Sequence, residues 1–414
     1  MGRAVAPALP ITMNFGDAWF AERLDELENI RSVRFVSQVQ LSVRDLHWRQ
    51  PPCLIARRMG HQRLHAVIFG FGRGGEAVMT DLLLSCLAGD LGKPMITIID
   101  PRAAEIRRSL SHRCPALNAS VEYAVIIPGR TTDVRVLPVA DPGAAAARAP
   151  ITIAYVRIDD DARALALAVS LEAHFRREGW RTGPIFTRLV NGRALPDIPA
   201  DLDIAECGGG SGGLVGFGAT QDFAHAIGLF EAETDAIPRM FHEAYRRTAS
   251  VDAVANVTWE DLAEEFRESN RRQLIHLPAK LATAGVDVAS WLVRAGPVLG
   301  TDGGLPVPDL ASNPVLLATL AELEHARWCM ERQLGGWQYG TIRNNARRIH
   351  PDLKPYAELT DTIRQYDCAI VLEAWAALSS TAGAGFFPFG GGMARPTEPD
   401  EDVDRLASLG WFQI

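Results

Sequence analysis

Short apolar runs alternate with helical patterns from about residue 64 to residue 216. The runs occupy 64–70, 94–100, 121–127, 151–158, 184–188 and 214–216. Between several of them, 76–88, 103–110 and 160–178 carry apolar residues at the three-and-four spacing of an amphipathic helix. Strands apolar on both faces, alternating with helices, predict an α/β architecture with a doubly wound parallel sheet covered on both sides.

The flanking regions have a different rhythm. Trp19, Phe20, Leu24, Leu27 and Ile30 predict a short amphipathic helix over 17–31. A strand is expected at 33–39, followed by a break at Pro51-Pro52, and the pattern assigns no role to this part. Beyond the sheet, 235–247, 259–277 and 288–293 read as helices, and 295–308 as a Gly- and Pro-rich loop. Asn313-Pro314 supplies a cap and a first-turn proline for a helix that runs to Leu334 and stops at Gly335-Gly336. After Leu378 the chain turns Gly-, Pro- and acid-rich and is expected to be flexible to Asp404, with apolar residues 406–414 docking back. The resulting division is 1–60 unassigned, 61–235 α/β, 236–310 helical connector, 311–380 a mainly α-helical domain, and 381–414 tail.

Composition narrows the classes. The 414 residues suffice for two or three well-filled cores. A net charge of −8 argues against a general nucleic-acid binder, which would present a basic face. The six cysteines form no C-x-x-C pair, so reduced thiols in a cytoplasmic protein are expected. No apolar run reaches the ~18–20 residues that span a bilayer. Residues 1–15, with Arg3 as their only basic side chain, show no cleavable signal.

The first candidate site lies where the first strand meets the first sheet helix. Gly70-Phe71-Gly72-Arg73-Gly74-Gly75 fits G-x-G-x-x-G through Gly70, Gly72 and Gly75. These glycines permit a tight turn, approach of a pyrophosphate to the backbone, and close strand–helix packing. Amides at the helix N-terminus would face the phosphates. The second strand ends in Asp100, a carboxylate placed to accept ribose hydroxyls, although farther along the chain than the usual ~20 residues. Arg73 and Arg102 are candidate phosphate contacts, with solvated surface arginines as the alternative reading. Asp159-Asp160-Asp161 read as capping acids at a helix start. The order of strand, glycines, helix, strand and acid resembles the TrkA-N/RCK family, the Rossmann-type regulatory domains of potassium transporters and channels, over about 64–235. That resemblance implies a bound NAD(H) or ATP/ADP-like nucleotide that is sensed and not turned over.

The second candidate site is the densest polar and aromatic stretch of the chain. Leu316, Leu320, Leu323, Arg327, Met330 and Leu334 fall on one helical stripe, so Arg327 needs a partner, and Glu324 stands one turn away. Trp328 and Arg332, four apart, can make a cation–π contact. Trp337, Tyr339, Gly340, Arg343 and Asn344 follow, then His350 and Tyr356. Aromatic rings stack on a base, arginine forks onto phosphate, and asparagine can read a base edge. The runs Glu324-His325-Ala326-Arg327-Trp328, Gly336 to Asn344 and His350 to Tyr356, with Asp367 beyond, resemble the RyR domain, the repeat named after ryanodine receptors and also found in bacterial proteins. The resemblance spans about 315–378, with two departures: Asn344 where aspartate is common and Cys368 where a basic residue is frequent. A weaker likeness links Trp259 to Lys280, and His242 and Tyr245, to the helical part accompanying such domains on TrkA-N modules.

Together these features imply a non-catalytic sensor with nucleotide ligands in both units. A homodimer is expected, with a membrane transport or effector partner as its output. An NAD(P)-dependent oxidoreductase with His325 or His350 as acid–base group, and an interaction scaffold with an empty loop, are the alternatives. No Ser-His-Asp, Cys-His or metal-ligand constellation is evident in the residue order, so no catalytic or metal-binding residues are expected.

Overall fold

The computed structural model describes residues 11–14, 33–117, 123–127, 134, 137, 150–190, 212–218, 235–248, 255–288 and 307–381. The helix expected at 17–31, all but the first residue of that at 288–293, and the tail beyond 381 lie outside the described residues.

Strands β1 (Ile11–Asn14) and β2 (Val33–Val36) form a separate parallel pair. The strand expected at 33–39 ends early because the Ser37 hydroxyl accepts from the Gln40 amide and starts a helix. That helix, α1 (Gln38–Arg49), and α2 (Pro52–Arg58) occupy the stretch whose sequence assigned no role. They pack against the sheet domain: Val43, Leu46, Ile55 and Ala56 belong to its core.

The main sheet comprises β3 (Arg63–Phe69), β4 (Gly92–Ile99), β5 (Tyr123–Ile127), β6 (Ile153–Val156), β7 (Ile185–Arg188) and β8 (Leu214–Phe217). Its spatial order is β5-β4-β3-β6-β7-β8, with every neighbour parallel. All six expected apolar runs are strands of this one sheet. The first strands in sequence lie at its centre and the chain then winds outward both ways, a Rossmann-like doubly wound topology. Helices α3 (Arg73–Ser85) and α4 (Ala103–Arg113) cover one face. Helix α5 (Asp161–Arg177) covers the other, through Ala164, Leu167, Leu171 and Phe175. Asp160 caps α5 by accepting from the Arg163 amide, as the acidic triplet predicts.

A helical region follows: α6 (Ala236–Thr248), α7 (Glu264–Ile275) and α8 (Leu277–Thr283). The single helix expected over 259–277 is thus two pieces. Pro278 has no amide to donate and sits in the first turn of α8, where none is needed. Helix α9 (Pro314–Leu334) is capped by the Asn313 side chain on the Leu316 amide and ends at Gly335, with Gly336 at φ +80°. Two-residue strands β9 (Gln338–Tyr339) and β10 (Ile349–His350) pair in parallel beyond it. Helix α10 (Asp361–Thr381) then runs three residues past the expected end of order and packs on α6 and α9. Trp48 of α1, Phe241 of α6, Leu320 and Leu323 of α9 and Trp375 of α10 share one core. Met330 of α9 reaches instead into the core of the sheet domain. Among the described residues, no helix is long and apolar enough to cross a membrane.

Candidate functional site

The glycine loop lies at the carboxyl end of β3, next to β6, where the chain direction of the winding reverses. Open α/β sheets bind ligands at this point. Gly70 adopts φ +87°, and a Cβ there would stand 2.7 Å from the Arg157 carbonyl oxygen. A Cβ at Gly75 would overlap the Gly70 carbonyl. Both glycines are therefore required for packing alone. Gly72 is different: it is the N-cap of α3, offers no side-chain cap, and faces open space.

The two oxygens of buried Asp100 accept from the backbone amides of Phe71 (2.8 Å) and Arg102 (2.8 Å). Asp100 thus clamps the glycine loop to the loop after β4, where the sequence places it against a ribose. The Phe71 ring is buried in the core, and the Arg102 guanidinium lies 3.5 Å from the Phe71 carbonyl. Arg73 is exposed and lines a cleft on the flank of α3.

That cleft, of about 1350 Å³, separates α3 and the end of α4 from α7, α9 and the loops beyond α9. Trp328, Trp337, Arg343 and His350 reach it, as does His325. The rings form a connected set: Trp328 meets His350 edge-on at 5.0 Å, and Trp337 meets the same imidazole at 6.2 Å. Arg332 lies over Trp337 at 5.5 Å and over Trp328 at 6.0 Å, the latter being the cation–π pair expected from their spacing. The Asp352 amide donates to His350 Nδ1, which puts the imidazole proton on Nε2. Burial, then the charge of Arg343, pushes the His350 pKa down, so this ring is a neutral donor.

Other predicted residues have structural positions. Tyr339 is 55% exposed on β9 and does not line the cleft. Asn344 turns its side-chain oxygen to the Arg347 amide and closes a backbone pair with Ile349. Gly340 gives room to the Ile349 side chain, since a Cβ would stand 2.5 Å from its Cγ2. Tyr356 packs near His325, its hydroxyl 3.5 Å from the Arg364 carbonyl.

Glu324 and Arg327 belong to a buried ion network. Glu324 receives Lys280 at 2.6 Å and Arg327 at 2.8 Å, and Arg327 reaches Glu331 at 2.5 Å. Glu331 lies 3.6 Å from Arg272, which lies 3.2 Å from Glu268, which pairs with Arg44 of α1. Burial would raise the Glu324 and Glu268 carboxyls, but the surrounding cations hold both at about 2. The sequence identifies only the Glu324–Arg327 pair, because the rest of the network joins distant segments.

A further grouping corrects the sequence reading that no cysteine and histidine come together. Cys329 Sγ lies 3.3 Å from His325 Nε2, and His325 Nδ1 lies 3.4 Å from Asp367 Oδ2. The i, i+4 spacing of His325 and Cys329 was the available signal. His325 Nε2 also lies 3.0 Å from the Lys354 carbonyl, which cannot donate, so Nε2 carries a proton and is no base toward the thiol. Burial opposes charge on His325, but Asp367, Cys329 and the Lys354 carbonyl outweigh it and lift the pKa to about 10. Among the described residues, no group of three or more His, Cys, Asp or Glu side chains could hold a metal ion.

The rings, the turns and the Glu324–Arg327–Glu331 part of the ion network lie in a segment that resembles a known family. Residues 313–381 match the family model of the RyR domain. The match covers α9, both short strands and α10, so the RyR segment contributes the aromatic wall of the cleft. A search of curated proteins found no match to the chain.

Proposed function

We propose that the chain is a non-catalytic nucleotide sensor in which a TrkA-N/RCK-type sheet is joined to a RyR domain. A dinucleotide or ATP-like ligand occupies the glycine loop, and a nucleotide-like ligand occupies the cleft. The sensor acts as a homodimer on a potassium or other ion transport system, or on a nucleotide-signalled defence system, of bacterial type.

One observation carries the reading. Helix α3 begins at the glycine loop, and its flank, with Arg73 and Glu76, forms one wall of the cleft. Trp337, His350 and Arg343 approach the same cleft from the RyR segment. Stacking surface, a neutral imidazole donor and guanidinium groups are what a base and its phosphates require. A ligand in the cleft would touch both units, and one at the loop would bear on the helix they share.

Calorimetric titration of the full chain with ATP, ADP and NAD tests the proposal. We expect at least one to bind, and Trp337→Ala to weaken cleft binding about 10- to 100-fold, the effect of losing one base–aromatic stack. Failure of all three to bind would remove the basis of the sensor reading.

A further inference from the structure

Arg157 follows β6 and is 8% exposed. Its Nε has no hydrogen-bond partner, and no carboxylate among the described residues lies within ion-pair distance of its guanidinium. The nearby acid, Asp159, turns fully to solvent and pairs with Arg188 at 3.3 Å. The neighbour on one side is the Phe217 ring, with the guanidinium carbon 5.1 Å from its centroid. On the other side the guanidinium lies against Gly74, so closely that any Cβ there would overlap it.

Gly74 is in the first turn of α3, whose N-cap is Gly72 and whose amides have no side-chain cap. A helix N-terminus carries about half a positive charge, so a buried cation placed against it is repelled. Burying a charge without a partner is costly in its own right. Burial, and then Arg188, push the Arg157 pKa down to about 9, so the guanidinium is still charged at neutral pH. Two positive groups thus stand side by side in the first turn of α3, two residues from Gly72, which borders open space.

We propose that the glycine loop and Arg157 together form a seat for a phosphoryl anion, with Arg157 supplying the counter-charge. This rests on the nucleotide reading of the sheet and sharpens it. The group held here is anionic and forked by the guanidinium of the residue that follows β6, and the Asp100 carboxylate serves to clamp the loop. A free diphosphate and the phosphates of a nucleotide share this chemistry.

The experiment titrates the full chain with inorganic pyrophosphate, ADP and adenosine, comparing the native protein with Arg157→Met, Arg157→Lys and Trp337→Ala. Pyrophosphate should bind the native protein, and Arg157→Met should weaken it about 10- to 100-fold, the value of a charge-assisted hydrogen bond. Arg157→Lys, which keeps the charge but loses the fork, should fall between them, and Trp337→Ala should bind pyrophosphate like the native protein. Preferential binding of ADP over pyrophosphate would identify a nucleotide as the source. Adenosine binding that Arg157→Met leaves unchanged belongs to the cleft. If pyrophosphate fails to bind, or binds native and Met proteins equally, the phosphoryl seat is wrong. Should the Met variant not fold, native-like affinity in the Lys variant would also overturn the fork. ADP binding lost with Trp337→Ala but kept with Arg157→Met would leave the cleft reading standing without this one. No binding of any probe would remove both.

Discussion

Arg327 and Arg157 are both buried arginines, and their surroundings are opposite. Arg327, 1% exposed, sits between Glu324 and Glu331, and Lys280 and Arg272 balance those carboxylates in turn. Arg157 has a phenyl ring, a helix N-terminus and, among the described residues, no carboxylate within ion-pair distance. The first arrangement is electrostatically closed and needs nothing from solution. The second is open. Motif reading put Arg327 among the ligand contacts and passed over Arg157; Arg327 lines the cleft with its charge already paired, whereas the Arg157 charge has no paired carboxylate among the described residues.

Substitution of the two separates them. Arg327→Met should be the most damaging, costing about 3–5 kcal/mol, because it takes the nearer guanidinium from Glu331 and one of the two cations from Glu324, both buried. Denaturant unfolding measures this, and a loss below about 1 kcal/mol would mean the network is not buried in solution.

A smaller effect should follow pH. His325 has a folded pKa of about 10 against an ordinary 6.5, so its contribution to stability is complete below about pH 6.5 and lost as pH rises through 10. Unfolding free energy should decline across that window, and His325→Gln should flatten the decline. A native protein whose stability is level from pH 7 to 10 would show that Asp367 does not hold the imidazolium.

The smallest effect should come from Arg157→Met in ligand-free protein, between no change and a gain of about 1–2 kcal/mol, since an uncompensated buried charge is removed. A loss comparable with that of Arg327→Met would erase the distinction between the two arginines.

Sequence made the sheet legible because each strand is a short apolar run bounded by turn residues. Helix α9 was equally plain, since Asn313-Pro314 and Gly335-Gly336 mark its ends by backbone chemistry. Trp328, Trp337, Arg343 and His350 were found because an unusual motif keeps its spacing. What was hidden required contacts between distant segments. Lys280, Arg272, Glu268 and Arg44 enter one network from three helices, and no periodicity signals that. Residues 38–58 looked featureless, yet Arg44 ends that network and Trp48 joins the RyR-side core. Arg157 is a single arginine after an apolar run, indistinguishable in sequence from a solvated one.

The junction at Gly336 bears on how any movement could pass between the units. A Cβ there would lie 2.9 Å from the Arg113 carbonyl at the end of α4, and the Cys114 thiol stands 3.2 Å from the Leu334 carbonyl. At Gly336 the two units therefore meet main chain to main chain, with no side chain at that residue to serve as a pivot. Sliding of packed helices along such a seam is the small displacement that keeps these contacts. A transmitted signal would then be a shift in register between α9 and α3, which pack on each other across this junction. For the same reason the RyR segment is no free-standing cassette, since cutting it away would expose main chain and empty the place of Met330 in the sheet core.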